Sequence, residues 1–249
     1  NVRENVGLIE VANFAKHEFK GLEARKFLDH ILAGKLPKPE RISLSPMLTY
    51  RGKLYGDLTV ACLDENEFMV FGSGAAQEMH RRWFENHLSK FKVQYKNRSD
   101  EFHGISIAGP NSRKVLEKIV REDVSNEKFR FRDSRRMFVG GVPAIINRIS
   151  FTGELGYEIY VAPHYQLKLF EEIMAAGKEF DIKPFGGRAL MSMRLEKNWG
   201  AWTLDYRPDF TAKETGLDTF INWDKEFIGK ENAQKDDSLH KITPLIVET

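Results

Sequence analysis

Two hydrophobic periods alternate along this chain. Apolar residues at every second position predict strands over residues 42–48, 54–63 and 67–71, and again over 135–139, 142–149 and 157–161. Spacings of three and four predict helices over 75–91, 163–180 and 184–199. The stretch from Glu18 to Leu32 matches the stretch from Ser106 to Val120 at one constant offset. Gly21 falls on Gly109, Arg25 on Arg113, Leu28 on Leu116 and Ile31 on Ile119. Each copy reads as a short strand, a glycine turn and an amphipathic helix, with Pro110 tolerated in the first turn of the second helix.

Strand, helix, two or three strands, helix is a ferredoxin-like pattern, and here it occurs twice. The expected fold class is therefore α+β, with two pseudo-repeated halves at about 6–100 and 101–233 around a central cleft. Residues 199–224 read as loop and hold Trp202, Tyr206, Phe210 and Trp223, either as core and lid packing or as a stacking surface for a planar ligand. Residues 234–240 are polar and read as a linker. Residues 242–247 read as the first strand of a further domain that the chain does not complete.

The chemistry is most legible in Phe151-Thr-Gly-Glu-Leu-Gly-Tyr-Glu158. Glycines punctuate it, and Tyr157, Ile159 and Val161 alternate on one strand face. Glu158 falls on the opposite face. A carboxylate there can accept two hydrogen bonds from a flat N–H donor such as a pterin or a guanidinium, or it can be a solvated glutamate on a half-exposed strand. Arg51-Gly-Lys-Leu-Tyr-Gly-Asp57-Leu-Thr-Val60 has the same order of glycine, acid and strand. Asp57 and Glu158 are thus expected at equivalent places in the two halves.

Composition narrows the classes. With 249 residues and 41% hydrophobic content the chain can bury a sizeable core. A net charge of +2, from 38 basic and 36 acidic residues mixed along the chain, gives no case for nucleic acid or membrane as partner. No apolar run approaches the roughly 20 residues of a membrane span. The single cysteine, Cys62, excludes an intrachain disulfide and reads as a buried strand thiol. The seven histidines show no metal-ligand spacing, so no metal site is expected, and His17 and His103 read as structural. There is no dinucleotide, P-loop, nucleophile-elbow or zincin motif.

In order along the chain stand Val6-Gly-Leu-Ile-Glu-Val, Gly-Asp57-Leu-Thr-Val, Ser-Ile-Ala-Gly-Pro110, Phe-Thr-Gly-Glu-Leu-Gly-Tyr-Glu158, Ser192-Met-Arg-Leu-Glu-Lys197 and Phe227-Ile-Gly-Lys230. Over residues 6 to 235 the chain resembles the folate-binding fold of the glycine-cleavage T-protein, aminomethyltransferase. It is most similar to the version in the C-terminal half of dimethylglycine and sarcosine dehydrogenases. The resemblance implies tetrahydrofolate as cofactor in the cleft of a domain spanning 1–235, with 236–249 as linker and start of a barrel that is otherwise missing. It implies that Glu158 grips the pterin ring and that Asp57 stands beside the folate nitrogens where the one-carbon unit is transferred. Thr59, Leu44 and Phe14 match pocket-wall positions, and Phe14 stands where the family usually has methionine.

The implied activity is one-carbon transfer from a methylamine-derived donor of the dimethylglycine or sarcosine type, forming 5,10-methylenetetrahydrofolate. An ionised carboxylate can stabilise the developing iminium charge and move the nitrogen proton. FAD would enter only through a separate or missing oxidoreductase domain or subunit. Two other readings stay open: an aminomethyltransferase serving a lipoyl carrier, and a non-catalytic folate-binding protein. The implied compartment is the cytoplasm, or the mitochondrial matrix in a eukaryote. Departures from the family stand at Phe151, where tyrosine is common, and at Leu190, which takes the position of the folate-binding arginine. Arg188, two residues before it, is a candidate substitute whose role stays open, and Trp199 sits near the family's aromatic after that helix.

Overall fold

The computed structural model describes residues 1–245 of the chain. From the N-terminus come β1 (Gly7–Glu10), β2 (Ala15–Lys20), α1 (Ala24–Ile31), β3 (Arg41–Leu48), β4 (Leu54–Asp64), β5 (Glu67–Gly72), α2 (Gln77–Leu88) and β6 (Gln94–Asn97). The chain continues with β7 (His103–Ala108), α3 (Ser112–Glu117), β8 (Ser134–Val139), β9 (Val142–Asn147), β10 (Gly156–Val161) and α4 (Gln166–Gly177). It ends with β11 (Lys183–Pro184), α5 (Gly187–Glu196), α6 (Ala212–Thr215) and α7 (Lys230–Gln234). The fold is α+β with two sheets, as the alternating periods predict. One sheet has the order β11-β1-β7-β10-β9-β8 and the other β3-β4-β5-β2-β6.

Two compact units carry these sheets, and they interleave along the chain. The first comprises Asn1–Phe14, Glu40–Ile42 and Arg98–Trp199; the second comprises Ala15–Pro39, Ser43–Asn97 and the chain from Gly200 on. The N-terminal strand enters the first unit because β1 pairs antiparallel with β7, Leu8 opposite Ile107. Within that arrangement the repeat is visible as topology. The succession β2-α1-β3-β4-β5-α2 is matched by β7-α3-β8-β9-β10-α4, and the strand order β3-β4-β5-β2 by β8-β9-β10-β7. Gly21 and Gly109 have the same left-handed backbone, φ +133° and +129°. A Cβ would lie 2.7 Å from the Lys92 carbonyl oxygen at the first and 2.5 Å from that of Asn5 at the second, so both sites require glycine.

Each sheet buries one face under its helices. In the first unit Ile105, Ile107, Tyr157, Ile159 and Val161 pack with Val115 and Leu116 of α3 and with Leu169 and Ile173 of α4. In the second unit Phe19, Val60, Phe68 and Val70 pack with Phe27, Leu28 and Ile31 of α1 and with Phe84 of α2. Full burial of each such side chain stabilises the fold by about 1.5–3 kcal/mol.

Several elements depart from the sequence pattern. Gln-Tyr-Lys-Asn of β6 carries no apolar alternation, yet its backbone pairs with β2 at the sheet edge. The helix expected from 184 begins at Gly187, because Lys183 and Pro184 pair in parallel with Gly7 and Leu8. The stretch expected as loop contains α6, started by a capping box between Thr211 and Glu214. Residues 235–245 hold no regular element, so the described part of the strand expected at 242–247 is not a strand; residues 246 and 247 lie outside the described residues. Among the described residues no helix is long and apolar enough to cross a membrane. No group of His, Cys, Asp and Glu among them is arranged to hold a metal ion.

Candidate functional site

Strand β10 places Glu158. Because Tyr157, Ile159 and Val161 enter the helix-covered core, Glu158 and Tyr160 occupy the other face of the sheet. The register defines what lies beside them. Ile9 is opposite Ser106, Ser106 opposite Glu158, Glu158 opposite Asn147, and Asn147 opposite Ser134. Four polar side chains thus cross β7, β10, β9 and β8 in one row on a single face, and all four are buried. The expectation of a half-exposed strand does not hold: every residue of β10 is buried, and Glu158 is only 6% exposed.

Burial of a carboxyl favours its neutral form, and the Glu158 carboxyl is pushed up to about 7 by desolvation. Two neighbours pull the other way. The Tyr160 hydroxyl donates to Glu158 Oε2 at 2.8 Å. The Lys197 ammonium, at the end of α5, favours the carboxylate through space. Lys197 donates to the Ser150 carbonyl oxygen at 2.8 Å and lies over the Trp199 ring, 5.3 Å from its centroid. Arg3 ties the preceding loop down, donating to the Thr152 carbonyl and to Glu154 at 2.8 Å, and to Glu196 of α5 at 2.6 Å.

Asp57 lies in the second unit, inside β4 rather than at a strand start. Leu54, Gly56, Leu58 and Val60 are buried on one face, and Tyr55, Asp57 and Thr59 alternate with them on the half-buried face. Thr59 is opposite Phe71 of β5. Enough protein surrounds the Asp57 carboxyl that desolvation raises it to about 7. Gly56 seats a histidine: its position lacks a Cβ that would come within 2.9 Å of His80 Nε2, which donates to the Tyr55 carbonyl oxygen at 2.8 Å. The expected equivalence of Asp57 and Glu158 is corrected by the topology. β10 corresponds to β5 in the repeat, and β4 corresponds to β9, so the two acids stand on non-equivalent strands.

The remaining predicted residues fall in both units. Trp199 is half-buried and meets Glu158's surroundings through Lys197, and Phe151 is half-buried in the loop before β10. Arg188 is exposed in the first turn of α5, and Leu190 is half-buried one position beyond Ala189. Leu44 is half-buried on β3 of the second unit. Phe14 is half-buried in the bend between β1 and β2.

Sequence reasoning gives no role to Tyr160 or Asn147 and quotes Ser106 and Lys197 only as parts of motifs. Tyr160 was findable, because residue i+2 on a strand shares the face of Glu158. Asn147 and Ser106 required the pairing register, for which the sequence holds no local signal.

The chain is similar to known proteins over nearly its whole length. The sequence profile of the family described as the GCVT N-terminal domain matches residues 1–225. The chain is 37% identical over 235 residues to the mitochondrial dimethylglycine dehydrogenase of Mus musculus, covering 92% of this chain and 27% of that protein. It is 30% identical over 246 residues to an aminomethyltransferase of Thermoanaerobacter pseudethanolicus, covering 96% of this chain and 66% of that one. The chain therefore spans about a quarter of the first relative and about two thirds of the second. The crystal structure of the glycine cleavage system aminomethyltransferase T from Bartonella henselae superposes with a TM-score of 0.84 at 21% identity, over 94% of this chain and 63% of that one, which shows the same fold.

Proposed function

The chain belongs to the GCVT N-terminal domain family, and from that premise we propose that it binds tetrahydrofolate and mediates transfer of a one-carbon unit to it. The donor in this reading is the iminium formed by oxidation of a methylated amine of the dimethylglycine or sarcosine type, and the product is 5,10-methylenetetrahydrofolate. The observation that carries the reading is Glu158, a buried carboxyl in a buried polar row, engaged by protein at Oε2 through Tyr160. Such a group fits the N–H edge of a flat heterocycle. A ligand offering two N–H groups converts an expensive buried acid into a satisfied carboxylate. Asn147 supplies a second sign of fit, since its buried Nδ2 has no hydrogen-bond partner.

When bound, tetrahydrofolate supplies the nucleophilic nitrogen and accepts carbon at the formaldehyde level. Glu158 holds its heterocycle in one orientation, which converts part of the barrier into binding already made. Asp57 works on the proton. With its carboxyl near 7, it takes a proton from the attacking nitrogen onto a carboxyl oxygen and returns it to the leaving amine. In its ionised form it also stabilises positive charge developing on the donor carbon and nitrogen. Oxidation of the amine to that donor belongs to a flavin-containing domain or subunit outside these residues. Dimethylglycine as the donor draws support from the 37% relative. A second reading, transfer of an aminomethyl group as in glycine cleavage, draws support from the 30% relative.

The test is Asp57→Asn, assayed for 5,10-methylenetetrahydrofolate formation with a donor generated in place from dimethylglycine by a flavin amine dehydrogenase. The expected result is a rate lower by roughly 10²–10⁴-fold with tetrahydrofolate affinity within about threefold. An unchanged rate contradicts the role of Asp57.

A further inference from the structure

The polar row of the first unit contains a donor that the protein leaves unanswered. Asn147 is fully buried, and its Nδ2 makes no hydrogen bond. Its Oδ1 is occupied, accepting from the Ser134 hydroxyl at 2.7 Å. With the amide placed this way, Nδ2 is the end that remains. Leaving a buried N–H unmade costs roughly 1–3 kcal/mol, and folded proteins retain few such groups.

The position of this donor is specific. Asn147 is directly opposite Glu158 in the pairing of β9 with β10. Ile146 and Ile159, the next pair along, both enter the helix-covered core, so Asn147 and Glu158 share the other face. In-register side chains on one face have Cβ atoms about 4.5–5.5 Å apart. A carboxyl acceptor and an amide donor therefore stand on neighbouring strands of one sheet face, where both can reach the edge of one flat ring. In the reverse amide orientation Oδ1 would face the Glu158 carboxyl, acceptor against acceptor once that group is ionised.

We propose that Asn147 is a specificity-determining binding residue, donating from Nδ2 to a carbonyl oxygen on the same ring edge whose N–H groups Glu158 accepts. The proposal rests on the folate reading and deepens it by naming the edge. The recognised sequence of groups is amino, ring N–H, carbonyl, as in a 2-amino-4-oxo-pyrimidine ring. A 4-amino ring places a donor against the Asn147 donor and is rejected. Specificity built on a polar group that must be answered is steep, because the wrong ligand leaves the protein group unpaired.

The experiment compares tetrahydrofolate with tetrahydroaminopterin, its 4-amino counterpart, by calorimetric titration of the full chain and of Asn147→Leu and Asn147→Val. Thermal melts show which variants fold, and the two strand-compatible side chains give two chances of a folded sample. Wild type is expected to prefer the 4-oxo ligand at least tenfold. In the variants that preference is expected to fall to within about threefold, through weaker tetrahydrofolate binding and unchanged or tighter tetrahydroaminopterin binding. A general loss of packing would weaken both ligands alike. A wild type that binds tetrahydrofolate while folded variants keep its preference overturns the role of Asn147 and leaves the folate reading standing. A folded wild type that binds neither ligand overturns the folate reading and this inference with it.

Discussion

A glutamate raised from 4.5 to about 7 by burial is a measurable property of one residue. The shift corresponds to roughly 3 kcal/mol at about 1.4 kcal/mol per unit. Its sign is fixed by linkage. The folded state holds the Glu158 proton more tightly than the unfolded state, so stability is fully present below about 4.5 and is lost as pH rises through about 7. Glu158→Gln removes the group that must ionise. Relative to wild type it is expected to gain stability on going from pH 4.5 to pH 8, by about 2–3 kcal/mol in urea denaturation. No difference in the pH dependence of the two proteins would mean that Glu158 is not held neutral in the fold. Asp57 is raised in the same direction, from 3.8 to about 7 by desolvation, so its contribution has the same sign. Both acids were legible in the sequence because glycines and strand alternation framed them. What surrounds Glu158 was not, since Asn147 and Lys197 reach it only through register and tertiary packing.

At the scale of elements, β4 and α2 are locked by one histidine. His80 of α2 is completely buried, donates to the Tyr55 carbonyl and fills the space left by Gly56. Gly56→Ala puts a methyl group against Nε2 of a ring that cannot retreat. The expected result is destabilisation by about 1–3 kcal/mol in thermal denaturation, with a displaced His80 imidazole resonance. A stable variant with unchanged His80 would show that glycine is not required there. His80 also packs near His17 of β2, ring centroids 6.4 Å apart, and desolvation lowers them to about 4 and about 3. These histidines are neutral when folded and charge when unfolded, so their stabilisation is present above about 6.5 and falls as pH drops towards 4. The glycine before Asp57 stands in the sequence only as part of the glycine, acid and strand order. The structure shows that this glycine clears space for a histidine ring, a role that no local pattern announces. Strand β6 was hidden for a related reason, because backbone pairing to β2 does not need apolar alternation at a polar edge.

At the scale of the molecule, the repeat was legible and the partition was not. Matched glycines, arginines and apolar positions gave two similar halves, and the strand orders bear out that similarity. The interleaving of the units depends on β1 joining β7 across almost a hundred residues of chain, a long-range pairing that periodicity does not encode. Family membership and fold follow from features spread over nearly the whole length. The folate reading gathers them at a single side chain. Its most direct test is anaerobic calorimetric titration of the chain with tetrahydrofolate, wild type against Glu158→Ala. Saturable binding that the substitution weakens at least tenfold, ~1.4 kcal/mol, is the result predicted. Equal binding by the two proteins, or none by a folded wild-type sample, would contradict it.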